Sequence, residues 1–319
     1  MAVVRLPLIE SHPSWRAAQV VGVLCTVGLM IAFVVAPTPS LHLLWDMVIP
    51  LLPAVFLVNP MLWRNVCPLA TLNDLTGHRR ESPTLGVAWL APAWAAGIAL
   101  LVLLVPARRF LFNTHGLPML VTVGAVAVLA LASGFVVSRR AGFCNSICPV
   151  LPVEKLYGQA PLLHVGSARC TDCNRCTSLG CPDLAGRKSA VQSVVAPAQR
   201  SWAFAPFGLF AAAFPGFIVG YFTIDDGPLA SALAVYGHVA AWSAGSLLVA
   251  LGLILGSRVR TAVALFLLGV ASIIAYYWFA APRLVTAYGG GLLMGEIVRA
   301  VALLGITAWA LRGWRRVSA

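Results

Sequence analysis

Charged residues are scarce in this 319-residue chain: they make up 10% of it, whereas hydrophobic residues make up 60%. A soluble domain carries about 25% charged residues. The shortage excludes an ordinary soluble protein and predicts an all-α polytopic membrane protein, in contact with membrane lipid. The chain also lacks the GxSxG, HExxH, phosphate-loop and dinucleotide-binding motifs. We therefore expect any substrate chemistry to take place on another subunit.

Acidic residues are few as well, 10 against 22 lysines and arginines, which leaves a net charge of +12. A basic balance of this kind can mark a nucleic-acid-binding surface. Here the arginines lie beside apolar stretches, as in the cytoplasmic loops of membrane proteins. We therefore expect no nucleic-acid partner.

Eight apolar stretches of about 20 residues are each long enough to cross a bilayer as a helix. They are residues 18–36, 41–59, 85–105, 118–137, 203–223, 232–255, 261–281 and 290–311. The second is the weakest, because Asp46, Pro50 and Pro53 interrupt it. Cys25, inside the first, is expected to be a small buried apolar residue.

The distribution of basic residues predicts the orientation of these spans. With the N-terminus inside, eighteen basic residues fall in the inner segments and only Arg108, Arg109 and Arg283 fall in the outer loops. The positive-inside rule then places both termini and the cysteine-rich segment in the cytoplasm. Residues 1–16 contain no small-residue cleavage site, so we expect no removable signal peptide.

The predicted organisation has three parts. Residues 1–140 form a four-helix membrane region, residues 141–200 a small cytoplasmic iron–sulfur segment, and residues 201–319 a second four-helix membrane region.

The middle part contains a run of cysteines with short spacings. Cys170, Cys173 and Cys176 are separated by two residues each, and Cys181 is followed by Pro182. This spacing is typical of a ferredoxin-like loop that binds a [4Fe–4S] cluster, although the last gap is four residues rather than three. A zinc site is less favoured, because zinc sites usually use two separated CxxC pairs, and a disulfide would not need this crowding.

A weak internal repeat adds three more cysteines. Cys67-Pro68 follows the second span, and Cys144-x3-Cys148-Pro149 follows the fourth, with a leucine and a glycine at matching offsets after each. Trp63 stands where the first copy would have its other cysteine. The repeat predicts two helical hairpins that each bring a Cys-Pro turn to the cytoplasmic rim of the membrane.

These motifs resemble those of the membrane polyferredoxins, which include NapH-type, NosR-type and cbb3 oxidase accessory-type proteins. The resemblance covers roughly residues 41–182. It implies a bacterial inner-membrane protein that passes electrons through [4Fe–4S] clusters between the quinone pool and a partner redox subunit of an oxidoreductase complex. This chain departs from the group in its single ferredoxin-type run, in Trp63 and in its four additional spans.

The cysteines allow two cluster arrangements. In the first, Cys170, Cys173, Cys176 and Cys181 hold one cluster. In the second, which we favour, Cys181 joins Cys67, Cys144 and Cys148 in a second cluster, as the fourth cysteine does in two-cluster ferredoxins. The first cluster then needs a water, a carboxylate or His164 as its fourth ligand.

Four polar residues lie inside the outer parts of the spans, where ionisable groups are costly. They are His42, Asp46, His238 and Glu296. Three interpretations remain open: a quinol site near the outer surface, a haem b with His42 and His238 as axial ligands, or structural hydrogen bonds, with Glu296 paired to Arg299. A quinol bound there would lie roughly 20 Å from the inner rim at 1.5 Å rise per residue, so a site near the Cys-Pro turns is an alternative.

Two functions therefore remain possible at this point: electron transfer between quinone and a partner protein, or a non-enzymatic accessory, assembly or anchoring role in a respiratory complex.

Overall fold

The computed structural model describes residues 13–76, 87–136, 143–163, 190–191, 202–257 and 259–317. All regular elements in these ranges are helices, and eight helical stretches are long and apolar enough to cross a membrane. They are Ser14–Val35, Pro37–Val58, Ala91–Phe112, Gly116–Val136, Pro206–Thr223, Leu229–Gly256, Thr261–Ala287 and Leu292–Val317. The predicted all-α multi-pass fold with eight spans is confirmed.

The first four spans and the segments around them contain eight α-helices. Their bounds are α1 Pro13–Val35, α2 Pro37–Leu43, α3 Ile49–Val58, α4 Pro60–Val66, α5 Pro68–Thr76, α6 Val87–Ala107, α7 Gly116–Val136 and α8 Leu151–Tyr157. Three single turns of π-helix lie at Leu44–Val48, Arg108–Phe112 and Phe143–Ile147.

The last four spans are formed by long helices joined by short connections. They are α9 Pro206–Thr223, α10 Ala232–Gly256, α11 Thr261–Ala287 and α12 Leu292–Val317. Two short 3₁₀ turns, Trp202–Phe204 and Leu229–Ser231, precede α9 and α10.

The second span is continuous in spite of its prolines. Pro50 is the second residue of α3, which directly follows a π-helical turn, and Pro53 lies inside α3, so both are within one continuous run of helical turns. The π-helical turn Leu44–Val48 joins α2 to α3 and contains Asp46. The polar and proline residues that weaken the sequence pattern therefore do not end this helical span.

Several spans extend further than their apolar stretches predict, and two of these extensions reach residues that the sequence assigns to outer loops. The third continues from residue 105 through Phe112, and the seventh continues from residue 281 to Ala287. These extensions bring Arg108, Arg109 and Arg283 into helical turns, whereas the sequence places them in outer loops. Each of the three donates hydrogen bonds to nearby oxygens, which permits a guanidinium group at this position.

Helix α9 is the most enclosed of the spans and packs against α10 and α11. Gly216 lies directly against the carbonyl group of Trp242, and a Cβ atom at Gly220 would lie 2.9 Å from the Cα of Val239. Small residues allow helix backbones to approach closely in membranes.

The segment from Leu151 to Leu163 lies inside the helix bundle rather than on its surface. Every residue of α8 is buried. The backbone N–H groups of Leu162 and Leu163 donate to the carbonyls of Leu57 and Val58 over 2.9 and 3.0 Å, and the Trp309 indole donates to the carbonyl of Ala160 over 2.8 Å. This segment therefore connects α3 with the last span.

Helix α1 is packed loosely, with most of its surface turned away from the rest of the chain. Cys25 in this helix is exposed, so the prediction that it is buried is wrong. In a span at the edge of the bundle, an apolar residue can face lipid instead of protein, and the sequence pattern does not separate the two.

Candidate functional site

The two Cys-Pro turns have similar local structures. Cys67 follows α4 and its carbonyl accepts from the backbone N–H of Thr71 over 3.0 Å at the start of α5. Cys148 follows the π-helical turn Phe143–Ile147, and its carbonyl accepts from the N–H of Leu151 over 3.1 Å at the start of α8. In each copy the proline begins the turn that leads into a short helix.

The two turns converge, and they bring three cysteines into one apolar cluster. Cys144 is buried with Phe143, Ala70 and Ala130, and Cys67 and Cys148 pack against them. Burial raises the pKa of the Cys148 thiol to about 12, with smaller contributions from the nearby Glu154 and Cys67. Cys67 thus lies near Cys144, which is 77 positions later in the sequence.

We define the cysteine end of the bundle as the end that contains Cys67, Cys144 and Cys148. Its main polar contact is an ion pair between Arg64 on α4 and Glu154 on α8, with 2.9 Å between Nε and Oε2. Both side chains are almost fully buried, at 2% and 4% exposed. Arg64 Nη2 also donates to the carbonyl of Cys144 over 2.9 Å. One arginine therefore joins the first turn to the second.

Helix α6 fixes the second turn from the other side. The Trp94 indole donates to the carbonyl of Asn145 over 3.0 Å, and the Lys155 ammonium lies 3.8 Å from the centre of the Trp94 ring. A Cβ atom at Gly97 would lie 3.1 Å from the carbonyl oxygen of Cys148, so the missing side chain allows the turn to lie against α6.

The thiols of Cys67, Cys144 and Cys148 are of the type that binds iron–sulfur clusters. In the present side-chain positions, the described ranges contain no group of three His, Cys, Asp or Glu residues arranged to hold a metal ion. The other predicted ligands, Cys170, Cys173, Cys176, Cys181 and the alternative ligand His164, lie outside the described residues.

We define the arginine end as the opposite end of the bundle, where Arg108, Arg109 and Arg283 lie. The structure brings His42 and Asp46 together there: His42 Nδ1 lies 2.7 Å from Asp46 Oδ2. Arg108 Nη2 donates to the other oxygen of Asp46 over 3.2 Å, and Arg108 Nη1 donates to the hydroxyl of Tyr221 over 3.1 Å. Both oxygens of this carboxylate thus have hydrogen-bond partners inside the protein.

The other two predicted polar residues lie apart from this pair. His238 Nε2 is 2.9 Å from the hydroxyl of Thr223. Glu296 is largely exposed and forms an ion pair of 2.9 Å with Arg299, as the structural interpretation of its spacing predicts. Neither lines the cavity described next.

A cavity of about 800 Å³ runs through the bundle from the arginine end to the cysteine end. At the arginine end its wall includes Asp46 and Arg108, and at the cysteine end it includes Pro68 and Pro149, which follow Cys67 and Cys148. Nearly all other wall residues are apolar. An apolar molecule in this cavity would therefore come close to both Cys-Pro turns.

Sequence reasoning missed Arg64 and Glu154. Glu154 is the one acidic residue between positions 143 and 163, and it follows the apolar residues Val150–Val153. A charge in such a place needs a partner, and that signal was available. Its partner 90 residues earlier was not identifiable from local spacing.

Comparisons of this chain with protein-family models, with curated proteins and with solved structures found no match.

Proposed function

We propose that this protein is an integral-membrane iron–sulfur electron-transfer protein that connects the quinone pool with a partner redox protein or complex. The observation that carries the proposal is the convergence of Cys67, Cys144 and Cys148 from two separate turns. Together with the run from Cys170 to Cys181, they supply seven thiols. Clusters of the [4Fe–4S] type, held by these thiols, would supply one-electron transfer.

The cavity supports the link to quinone. It extends to Pro68 and Pro149 beside the cysteines, so a quinone with an apolar tail has space within reach of that end. A quinone bound there would not have to pass electrons over the roughly 20 Å that separate the outer part of the spans from the inner rim.

The proposed setting is the bacterial inner membrane, with the cysteine end and the run from Cys170 to Cys181 on the cytoplasmic side. The arginine distribution supports this orientation, and reducing conditions there would keep the thiols available. We expect a cysteine introduced by Arg175→Cys to be inaccessible to an impermeant thiol reagent in intact cells. Labelling of that position by an impermeant reagent would contradict the orientation.

The test of function is reduction of the purified full chain by a quinol. Anaerobic protein should contain iron and acid-labile sulfide, and a short-chain quinol should reduce its clusters, as followed by visible absorbance and EPR. Absence of iron and sulfide would reject the proposal. Clusters that dithionite reduces but quinol does not would favour the alternative, an accessory, assembly or anchoring subunit.

A further inference from the structure

Among the described residues, the charged side chains of the cavity wall lie at the arginine end. Along α6 the cavity-facing positions are Leu101, Leu104 and Val105, followed by Arg108 in the next turn. Along α11 they are Tyr276 and Ala280, followed by Arg283. These positions recur every three or four residues, so each helix turns one face to the cavity. Each face is therefore largely apolar along its length and cationic at the arginine end.

The three arginines at this end differ in their partners. Arg108 contacts Asp46, and Arg109 forms a 2.6 Å ion pair with Asp226. Arg283 donates to the carbonyl of Phe222 over 2.7 Å and lies 5.1 Å from the centre of its ring. Within the described ranges Arg283 forms no ion pair.

The surroundings of Arg283 leave positive charge in excess on the cavity wall. Arg108, Arg109 and Asp226 are near enough to act on it electrostatically, and Asp226 is already paired with Arg109. Asp225, in the same connection, is exposed. Arg283 itself is exposed and lines the cavity, so an anionic group that enters from the bilayer can reach its guanidinium group.

We propose that the arginine end of the cavity binds the phosphate of an anionic phospholipid, with an acyl chain in the apolar part of the cavity. Arg283 is the cation that faces the headgroup, and Arg108, which is paired with Asp46, lies on the same part of the wall. Exposed wall residues such as Val21 and Leu43 show that the cavity reaches the surface of the bundle, where the bilayer lies. Its volume of about 800 Å³ is within the range of ligand-binding pockets, about 300–1,000 Å³.

The phosphate alone does not account for the site. A free phosphate would leave the apolar space below Arg108 unfilled, and an uncharged amphiphile would leave Arg283 uncompensated. The site lies at the opposite end of the cavity from the cysteines, so this inference does not depend on the proposed electron transfer.

The test uses delipidated full-length protein in detergent and measures lipid adducts by native mass spectrometry. Phosphatidylglycerol and phosphatidylcholine with identical acyl chains are the two probes. We expect one phosphatidylglycerol to bind about tenfold more tightly than phosphatidylcholine, the size of one charge-assisted hydrogen bond. Arg283→Gln should abolish this preference, Arg283→Lys should retain most of it, and Val105→Trp should weaken both lipids by filling the cavity.

Arg299→Gln is the matched control, because Arg299 also lies in a span but is paired with Glu296 and does not line the cavity. It should leave the preference unchanged. Equal binding of the two lipids, equal losses in the Arg283 and Arg299 variants, or full displacement by excess inorganic phosphate would each overturn the proposal. A preserved preference in Arg283→Gln would do the same.

Discussion

Replacing Arg64 by methionine is expected to lower the free energy of unfolding by about 3–5 kcal/mol, the cost of breaking a buried ion pair. The change removes the guanidinium that contacts Glu154 at 2.9 Å, while Glu154 stays buried. It also removes the hydrogen bond to the carbonyl of Cys144. The midpoint of unfolding in detergent, with urea or heat, measures the loss.

Two further variants separate the ion pair from packing. The double variant Arg64→Met with Glu154→Leu should recover much of the stability, because well-packed apolar residues can replace a buried pair. Arg299→Met breaks a more exposed pair, whose side chains are 23% and 57% exposed, and should cost at most about 1 kcal/mol. Equal losses of unfolding free energy in the Arg64 and Arg299 variants would show that the buried pair does not stabilise the contact between the two turns.

Replacing Cys173 by serine is expected to remove most of the iron of at least one cluster and to bleach its visible absorbance. A cubane cluster needs its cysteine thiolates together, and Cys173 is the middle residue of the closely spaced run. Chemical iron analysis and the absorbance of anaerobic protein measure the effect. Cys25→Ser is the control, because Cys25 is exposed on α1, and it should retain all the iron. Unchanged iron in the Cys173 variant would refute the assignment of the run.

Cys148→Ser distinguishes the two cluster arrangements. If Cys67, Cys144 and Cys148 hold a second cluster with Cys181, this variant should lose about half of the iron, the share of one cluster in two. If the run holds one cluster by itself, the iron content should not change. The contact of Cys148 with Cys67 and Cys144 favours the first result.

The number of spans was predictable because a bilayer requires about 20 apolar residues per helix, and that requirement is visible in one stretch of sequence. The ends of the spans were not. Arg108 and Arg283 lie within their helices because oxygens of Tyr221 and Phe222 accept their hydrogen bonds, and those acceptors come from other parts of the chain.

The candidate site was predictable to a similar extent. The matching offsets after Cys67 and Cys148 indicated that the two turns belong together, and the structure places them in one cluster. His42 and Asp46 are four residues apart, a spacing that places both on one face of a helix, and the structure brings them into contact. The same reasoning did not separate these residues from His238 and Glu296, because depth in a membrane does not specify which helices are neighbours.

The three π-helical turns in the described part of the chain coincide with residues that the candidate sites use. Each turn contains a residue of interest: Asp46 in Leu44–Val48, Arg108 in Arg108–Phe112 and Cys144 in Phe143–Ile147. A π-turn forms i→i+5 hydrogen bonds, so it contains one residue more than a turn of α-helix, and such turns are frequent at functional sites. Deleting one residue there is expected to restore regular α-helix and to remove the local bulge that presents Asp46, Arg108 or Cys144. Two charged residues of the cavity wall and one thiol of the cysteine end thus lie where the helical hydrogen-bond pattern is interrupted.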